Sequence, residues 1–306
     1  MAKYIGFSLL GNFKDKGKIF GKKGTSTDIT LYNGKIGDIM VFFVEPTNYP
    51  DKIQPLIYAI NMCDINLIFI NELNQELGET ILALKYLNKD KNIFVLEQDY
   101  LKQDLENILK SVNLKYEIVN IDDVKDKILE VSNQIEFNDN SDKTEIVVDH
   151  FFNVKSVGTV VLGRVVSGKV KVYDKLKMFP SNKEVLIKSI QINDKNFKEA
   201  EVSSRVGLAL KGIELDEITR GSVITNYNIE TTTHIQGNFI KNPFLKKEIK
   251  EGETYQIVSG LQNVSCKILK INDQNIELEL FKPIVLKKPV MLVDNSSNLK
   301  ILGKIK

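Results

Sequence analysis

The chain has 306 residues, with 42 Lys plus Arg against 40 Asp plus Glu, a net charge of +2 and a 42% hydrophobic content. That length fits two or three domains of ordinary size. The near balance of charge excludes a polycation that holds nucleic acid by bulk charge, and no apolar run reaches the roughly 18 residues of a membrane span, so no membrane partner is expected. Two cysteines, Cys63 and Cys266, lie far apart in apolar surroundings, and there are only two His. No metal site follows from these Cys or His residues, and a reducing, cytoplasmic setting is the simple reading. Arg occurs only at Arg164, Arg205 and Arg220.

In chain order, residues 1–7 carry no cleavage-site signature, and the first strand is expected over 4–10. Further apolar strands are expected over 39–44, 66–70, 92–96 and 116–119. Helical spacing over 52–63, from Ile53, Leu56, Ile57 and Ile60, and over 77–87, 100–112 and 124–131, places helices between them. Strands alternating with helices imply a mostly parallel, doubly wound sheet. Between the first two strands lies a basic, Gly-punctuated segment with Lys14, Lys16, Lys18, Lys22 and Lys23, then Thr25-Ser26-Thr27-Asp28. It reads either as a solvated Lys-rich loop or as a mobile loop meeting RNA phosphates.

Residues 136–145 are polar and read as a linker. From Val147 the pattern changes to short β-branched and aromatic runs broken at Gly158, Gly163 and Gly168, the signature of tightly turned antiparallel strands in a small barrel. A second β-rich unit begins at Glu230, with strands expected over 234–239, 254–259, 264–271, 276–280 and 290–293 and a closing run over 299–303. The division expected is an α/β domain over 1–137, a linker over 138–145, and two all-β barrels over 146–229 and 230–306.

Four ordered motifs fall in the central barrel: Phe-Asn-Val-Lys-x-Val-Gly-Thr-Val at 152–160, Gly-x-Val-x-x-Gly-x-Val-x-Val-x-Asp-x-Leu at 163–176, Arg-Val-Gly-Leu-Ala-Leu-Lys-Gly at 205–212, and Arg220-Gly221. Together they resemble the second domain of the translational GTPases, the elongation factor Tu family, and most of all the archaeal-type and selenocysteine-specific factors. The resemblance implies a GTPase-like α/β domain ahead of two β-barrels. It also implies partners among tRNA, the ribosome or other translation factors, because in the family the second domain holds the aminoacylated tRNA end. Arg205 and Arg220 sit at family-matching positions in a chain that otherwise uses Lys. They are candidates for bidentate contact with RNA, or for pairing with carboxylates such as Glu214, Asp216 or Glu217.

The same resemblance implies a nucleotide site in the first domain, and there the motifs depart from the pattern. A phosphate loop needs G-x-x-x-x-G-K-[ST], whose N–H groups, Lys and hydroxyl hold phosphates and Mg²⁺. The chain has Gly11 and Gly17-Lys18 at a spacing one residue too long, and Ile19 where the hydroxyl belongs. Ile cannot ligate a hard cation. The family's Asp-x-Pro-Gly-His is replaced by Glu45-Pro46-Thr47-Asn48-Tyr49, with Glu45 for the metal-linked Asp and Tyr49 for the water-positioning His. The base-reading motif becomes Glu97-Gln98-Asp99-Tyr100, where Asp99 serves only after a one-residue slip. The expectation is a degenerate nucleotide site with no metal and no obligatory cofactor. The alternatives are an atypical factor that still binds GTP through Gly17, Lys18 and Asp99, and a structural partner of an active factor.

Overall fold

A computed structural model describes residues 4–11, 17–137, 141–272 and 274–306. Its contacts divide the chain into two compact units. The first holds residues 1–136 with 241–246 and 291–304, and the second holds 137–240, 247–290 and 305–306.

The first unit is built on a seven-stranded mixed sheet. Its strands are β1 (Tyr4–Gly11), β2 (Lys22–Ser26), β3 (Thr30–Ile36), β4 (Ile39–Glu45), β5 (Ile65–Ile70), β6 (Asn92–Leu96) and β7 (Glu117–Asn120), in the order β2-β3-β4-β1-β5-β6-β7. β4, β1, β5, β6 and β7 run parallel. β2 and β3 add an antiparallel edge. The parallel strands are nearly continuous apolar runs because helices cover them. Ile5, Phe7, Phe43, Leu67, Ile68, Phe94 and Val95 are fully buried. A polar ladder crosses the sheet inside this core: Ser8 Oγ donates to Asn66 Oδ1 (2.7 Å), and Asn66 Nδ2 donates to Asn92 Oδ1 (3.0 Å). Each buried amide is satisfied, which is what makes its burial tolerable.

The helices are α1 (Gly17–Phe20), α2 (Gln54–Met62), α3 (Gln75–Tyr86), α4 (Lys102–Ser111) and α5 (Val124–Gln134). Asn74 caps α3, its Oδ1 accepting from Leu77 N at 3.0 Å, as expected of an Asn at that position. The strand-helix alternation follows the sequence expectation, with one correction. Lys22 and Lys23, expected in a loop, lie on the edge strand β2 and are exposed. The hydrogen bonds of β3, whose buried Thr30, Leu31 and Tyr32 seat it on the sheet, fix β2 in place.

The second unit begins with β8 (Glu145–Val154), β9 (Gly158–Ser167), β10 (Lys169–Lys171), β11 (Lys175–Phe179), β12 (Lys183–Ile192), β13 (Lys195–Phe197), β14 (Glu199–Glu201), β15 (Arg205–Lys211) and β16 (Val223–Thr225). The order β11-β16-β8-β9-β15-β12 closes on itself through the β11–β12 pair, making a six-stranded barrel. Alternating inward residues such as Val148, Val161, Val165, Met178, Ile187 and Leu208 fill it. Residues 141–144 precede it, and Thr144 N and Oγ1 donate to Asn226 Oδ1 and Lys169 O. Residues 138–140 of the expected linker lie outside the described residues.

A second closed barrel follows, with strands β17 (Thr231–Lys241), β18 (Thr254–Ser259), β19 (Gln262–Ile271), β20 (Asn275–Val285), β21 (Val290–Val293) and β22 (Ile301–Ile305) in the order β17-β20-β19-β18-β21-β22. Within the second unit, Phe179, Val223 and Val285 form one buried cluster. Beside it Lys287 Nζ reaches Glu145 Oε1 at 2.7 Å, and Tyr227 Oη donates to Glu145 Oε2 at 2.7 Å. No helix among the described residues is long and apolar enough to cross a membrane.

Candidate functional site

Two regions concern function. The first lies where β1 and β4 end in the first unit. Gly11 closes β1 opposite Phe69 with φ of 90°, and a Cβ there would sit 2.0 Å from Phe69 O. The close approach of β5 alone therefore demands glycine at this position. Lys14 and Lys16 lie outside the described residues. Gly17 opens α1, a single turn closed by Gly21 N donating to Gly17 O at 2.9 Å. Phe20 anchors that turn by stacking on Phe43 with ring centroids 5.1 Å apart. Lys18 is exposed, and Ile19 is 57% exposed.

The Tyr32 ring occupies the space against Gly17, where a Cβ would fall 2.0–2.3 Å from ring carbons. Its hydroxyl donates to Glu45 Oε2 at 2.7 Å. Asn48 N donates to Asp28 O at 3.0 Å, and the Thr30 and Thr47 hydroxyls meet at 2.6 Å. Tyr49 Oη donates to Glu76 O of α3 at 2.8 Å. Burial, with Glu79 and Glu76 nearby, pushes its phenol well above the ordinary value. Asp99 is exposed in the short turn Asp99–Leu101, beside a Tyr100 that is 73% exposed. The structure thus joins Gly17 to Glu45 through Tyr32, commits Tyr49 to α3, and leaves Lys18 and Asp99 at the surface.

The second region lies in the first barrel. The β8–β9 register shifts between Val148 and His150, so a bulge brings both Asp149 and His150 inside, as bulges re-aim side chains. Both are buried. Arg205 Nη2 donates to Asp149 Oδ1 at 2.8 Å, His150 Nδ1 lies 2.8 Å from the same oxygen, and Arg220 Nε donates to Asp149 O at 3.0 Å. Burial of Asp149 would raise its pKa, but the Arg205 guanidinium and the His150 hydrogen bond outweigh that and hold the carboxyl below its usual range. Arg205 Nε is buried with no hydrogen-bond partner. The carboxylate that receives Arg205 is therefore Asp149, and not Glu214, Asp216 or Glu217. Glu217 instead pairs with Lys183 at 3.0 Å, and the exposed 214–217 turn is closed by its own capping box. An Asp-His pair inside a run of Val and Phe was the available sequence signal for this cluster.

Comparison with known proteins gives these arrangements a context. Residues 158–225 match the family model for elongation factor Tu domain 2. An uncharacterized protein, MJ0325 of Methanocaldococcus jannaschii, is 46% identical over 301 residues, 96% of each chain, and the present chain belongs to one family with it. The selenocysteine-specific elongation factor of the same organism is 26% identical over 90% of this chain, and the chain spans 63% of that factor's length.

The chain is a member of the translational GTPase superfamily. Within that superfamily it shares its fold with translation elongation factor SelB of Methanococcus maripaludis, solved in complex with the GTP analogue GppNHp. The TM-score is 0.79 at 22% identity, covering 99% of this chain and 78% of that one. Bacterial selenocysteine-specific factor EF-Sec gives a TM-score of 0.79 at 19% identity, with 99% and 58% covered. Of the barrel cluster, Arg205 and Arg220 fall within the matched residues 158–225, and Asp149 and His150 precede them.

Proposed function

We propose that the chain is a cytoplasmic, translation-factor-like protein that has given up GTP hydrolysis and binds the end of an aminoacylated RNA through its first barrel. The observation that carries the reading is Asn48. At the position whose N–H meets the γ-phosphate in the family, the N–H is already bonded to Asp28 O at 3.0 Å. The donor set around it agrees. Glu45 receives Tyr32, Ile19 offers no ligand oxygen, and Tyr49 is held on α3. These residues do not fit Mg²⁺-bound GTP, whose transfer chemistry depends on positioned donors and metal. In the barrel, by contrast, Asp149 holds both Arg205 and Arg220 in a fixed arrangement, at 2.8 and 3.0 Å, and the selenocysteine-specific relative supports a tRNA as the partner of that barrel.

Incubation of the full chain with GTP and Mg²⁺ should give phosphate release at the uncatalysed background. Lys18→Ala should leave that rate unchanged. Magnesium-dependent turnover that disappears in Lys18→Ala contradicts the reading. Binding of a charged tRNA should weaken linearly in log salt, because phosphate contacts release counterions, with a slope of roughly −0.7 per contact for single-stranded ends. A salt-independent affinity would point to a protein partner instead.

A further inference from the structure

In GTPases the two switch segments are held together by the γ-phosphate and its Mg²⁺ and are released on hydrolysis. We propose that in this chain residues 26–30 and 47–54 are latched to each other by protein hydrogen bonds, and that this latch fixes segment 291–304 in the first unit without any nucleotide. The inference rests on the reading that the unit does not use GTP, and adds to it a mechanism that holds one conformation permanently.

The bonds form three tiers, all inside one compact unit. In the first, Ser26 Oγ meets Thr30 Oγ1 at 2.9 Å, Thr30 Oγ1 meets Thr47 Oγ1 at 2.6 Å, and Asn48 N donates to Asp28 O at 3.0 Å. In the second, Lys52 N donates to Asn48 O at 2.9 Å, and Tyr49 Oη donates to Glu76 O at 2.8 Å. These carry the loop onto α2 and α3. In the third, Ile53 N donates to Asn295 Oδ1 at 3.0 Å, and Asn295 Nδ2 donates to Gln54 Oε1 at 2.9 Å. Lys300 N and Ile301 N both donate to Glu79 Oε1, at 2.6 and 3.3 Å.

Burial anchors the network at three points: Thr30 is 2% exposed, and Gln54 and Glu79 are each 5% exposed, while Ser26, Thr47, Asn48 and Lys52 lie at the surface. Breaking the contacts of an anchor strands a buried group, and an unsatisfied buried group is more costly than the bond it loses is worth. A phosphate approaching Asn48 N–H would first have to break its bond to Asp28. The place of the γ-phosphate bridge is thus taken by the chain's own backbone carbonyl and hydroxyls.

Amide hydrogen exchange on the full chain tests the latch at four reporters: Asn48, Ile53, Lys300 and Ile301. All four should be protected without nucleotide, and adding GTP or GDP with Mg²⁺ should leave each rate unchanged. Thr30→Val keeps the side-chain size and removes both hydroxyl contacts. It should speed exchange at all four amides by about tenfold, the factor for one hydrogen bond of ordinary net worth. Glu79→Leu, which removes the acceptor oxygens at the opposite end, should speed Lys300, Ile301 and Asn48 together, and carries the test if Thr30→Val does not fold. If either variant loosens only its own tier, there is no latch, while the loss of GTP chemistry stands. If GTP and GDP give different protection, the latch and the reading beneath it both fall.

Discussion

Arg205→Ala is expected to destabilise the second unit by about 3–5 kcal/mol, the cost of leaving a buried carboxylate without its cation. Asp149 is 2% exposed and Arg205 14%, so solvent screens this pair little. His150 remains beside Asp149, which sets the expectation nearer the lower end. Arg205→Lys should fall between, because a Lys ammonium keeps the charge and loses the planar fork. Urea unfolding of the variants measures this directly. A cost under about 1 kcal/mol, the worth of an exposed pair, would mean that the cluster is solvated and that Arg205 is not committed to Asp149.

The same pair sets a pH dependence. The folded pKa of Asp149 is depressed below its unfolded value, so its contribution to stability is fully present above an unfolded pKa of about 3.9. It is lost as pH falls through the lower folded value. The stability difference between the parent and Asp149→Asn should therefore be flat near neutrality and shrink below about pH 4. A difference that stays unchanged below about pH 4 would mean that the Asp149 carboxylate does not carry this stability.

Gly11→Ala is the second large effect. A residue with φ of 90° whose Cβ would lie 2.0 Å from a carbonyl oxygen cannot accept a methyl group without moving the strand. Strain at such an angle costs about 1–3 kcal/mol, and overpacking adds about 1–3 kcal/mol. Together the expected loss is about 2–6 kcal/mol in the absence of nucleotide. Thermal unfolding without ligand checks this. If the variant is as stable as the parent, the glycine answers to something other than β5, and a phosphate role for Gly11 returns.

Much of the architecture was legible because it follows from period. The five parallel strands are apolar runs between helical spacings, and β18 and β21 are flanked by turn residues that set their ends. The edge β2–β3 was not legible. Lys22, Lys23 and Gly24 are all exposed, so the strand has no buried face and no alternation to read. The candidate sites divide the same way. The replacement of motif residues at Glu45, Asn48 and Tyr49 is visible in one dimension. Their new partners, Asp28, Tyr32 and Glu76, depend on β3 and α3 folding back onto the loop. The pairing of Arg205 with Asp149 spans 56 residues and depends on a bulge, whose register shift leaves no mark in composition.

The barrels are proposed to bind RNA while the α/β unit needs no nucleotide. The most direct test is the Kd of the full chain for an aminoacylated tRNA at fixed salt, measured without nucleotide, with GTP and Mg²⁺, and with GDP and Mg²⁺. Measurable binding at the same Kd is expected in all three conditions, weakened by Arg205→Lys. An affinity that appears only with GTP, and is lost with GDP, would contradict it.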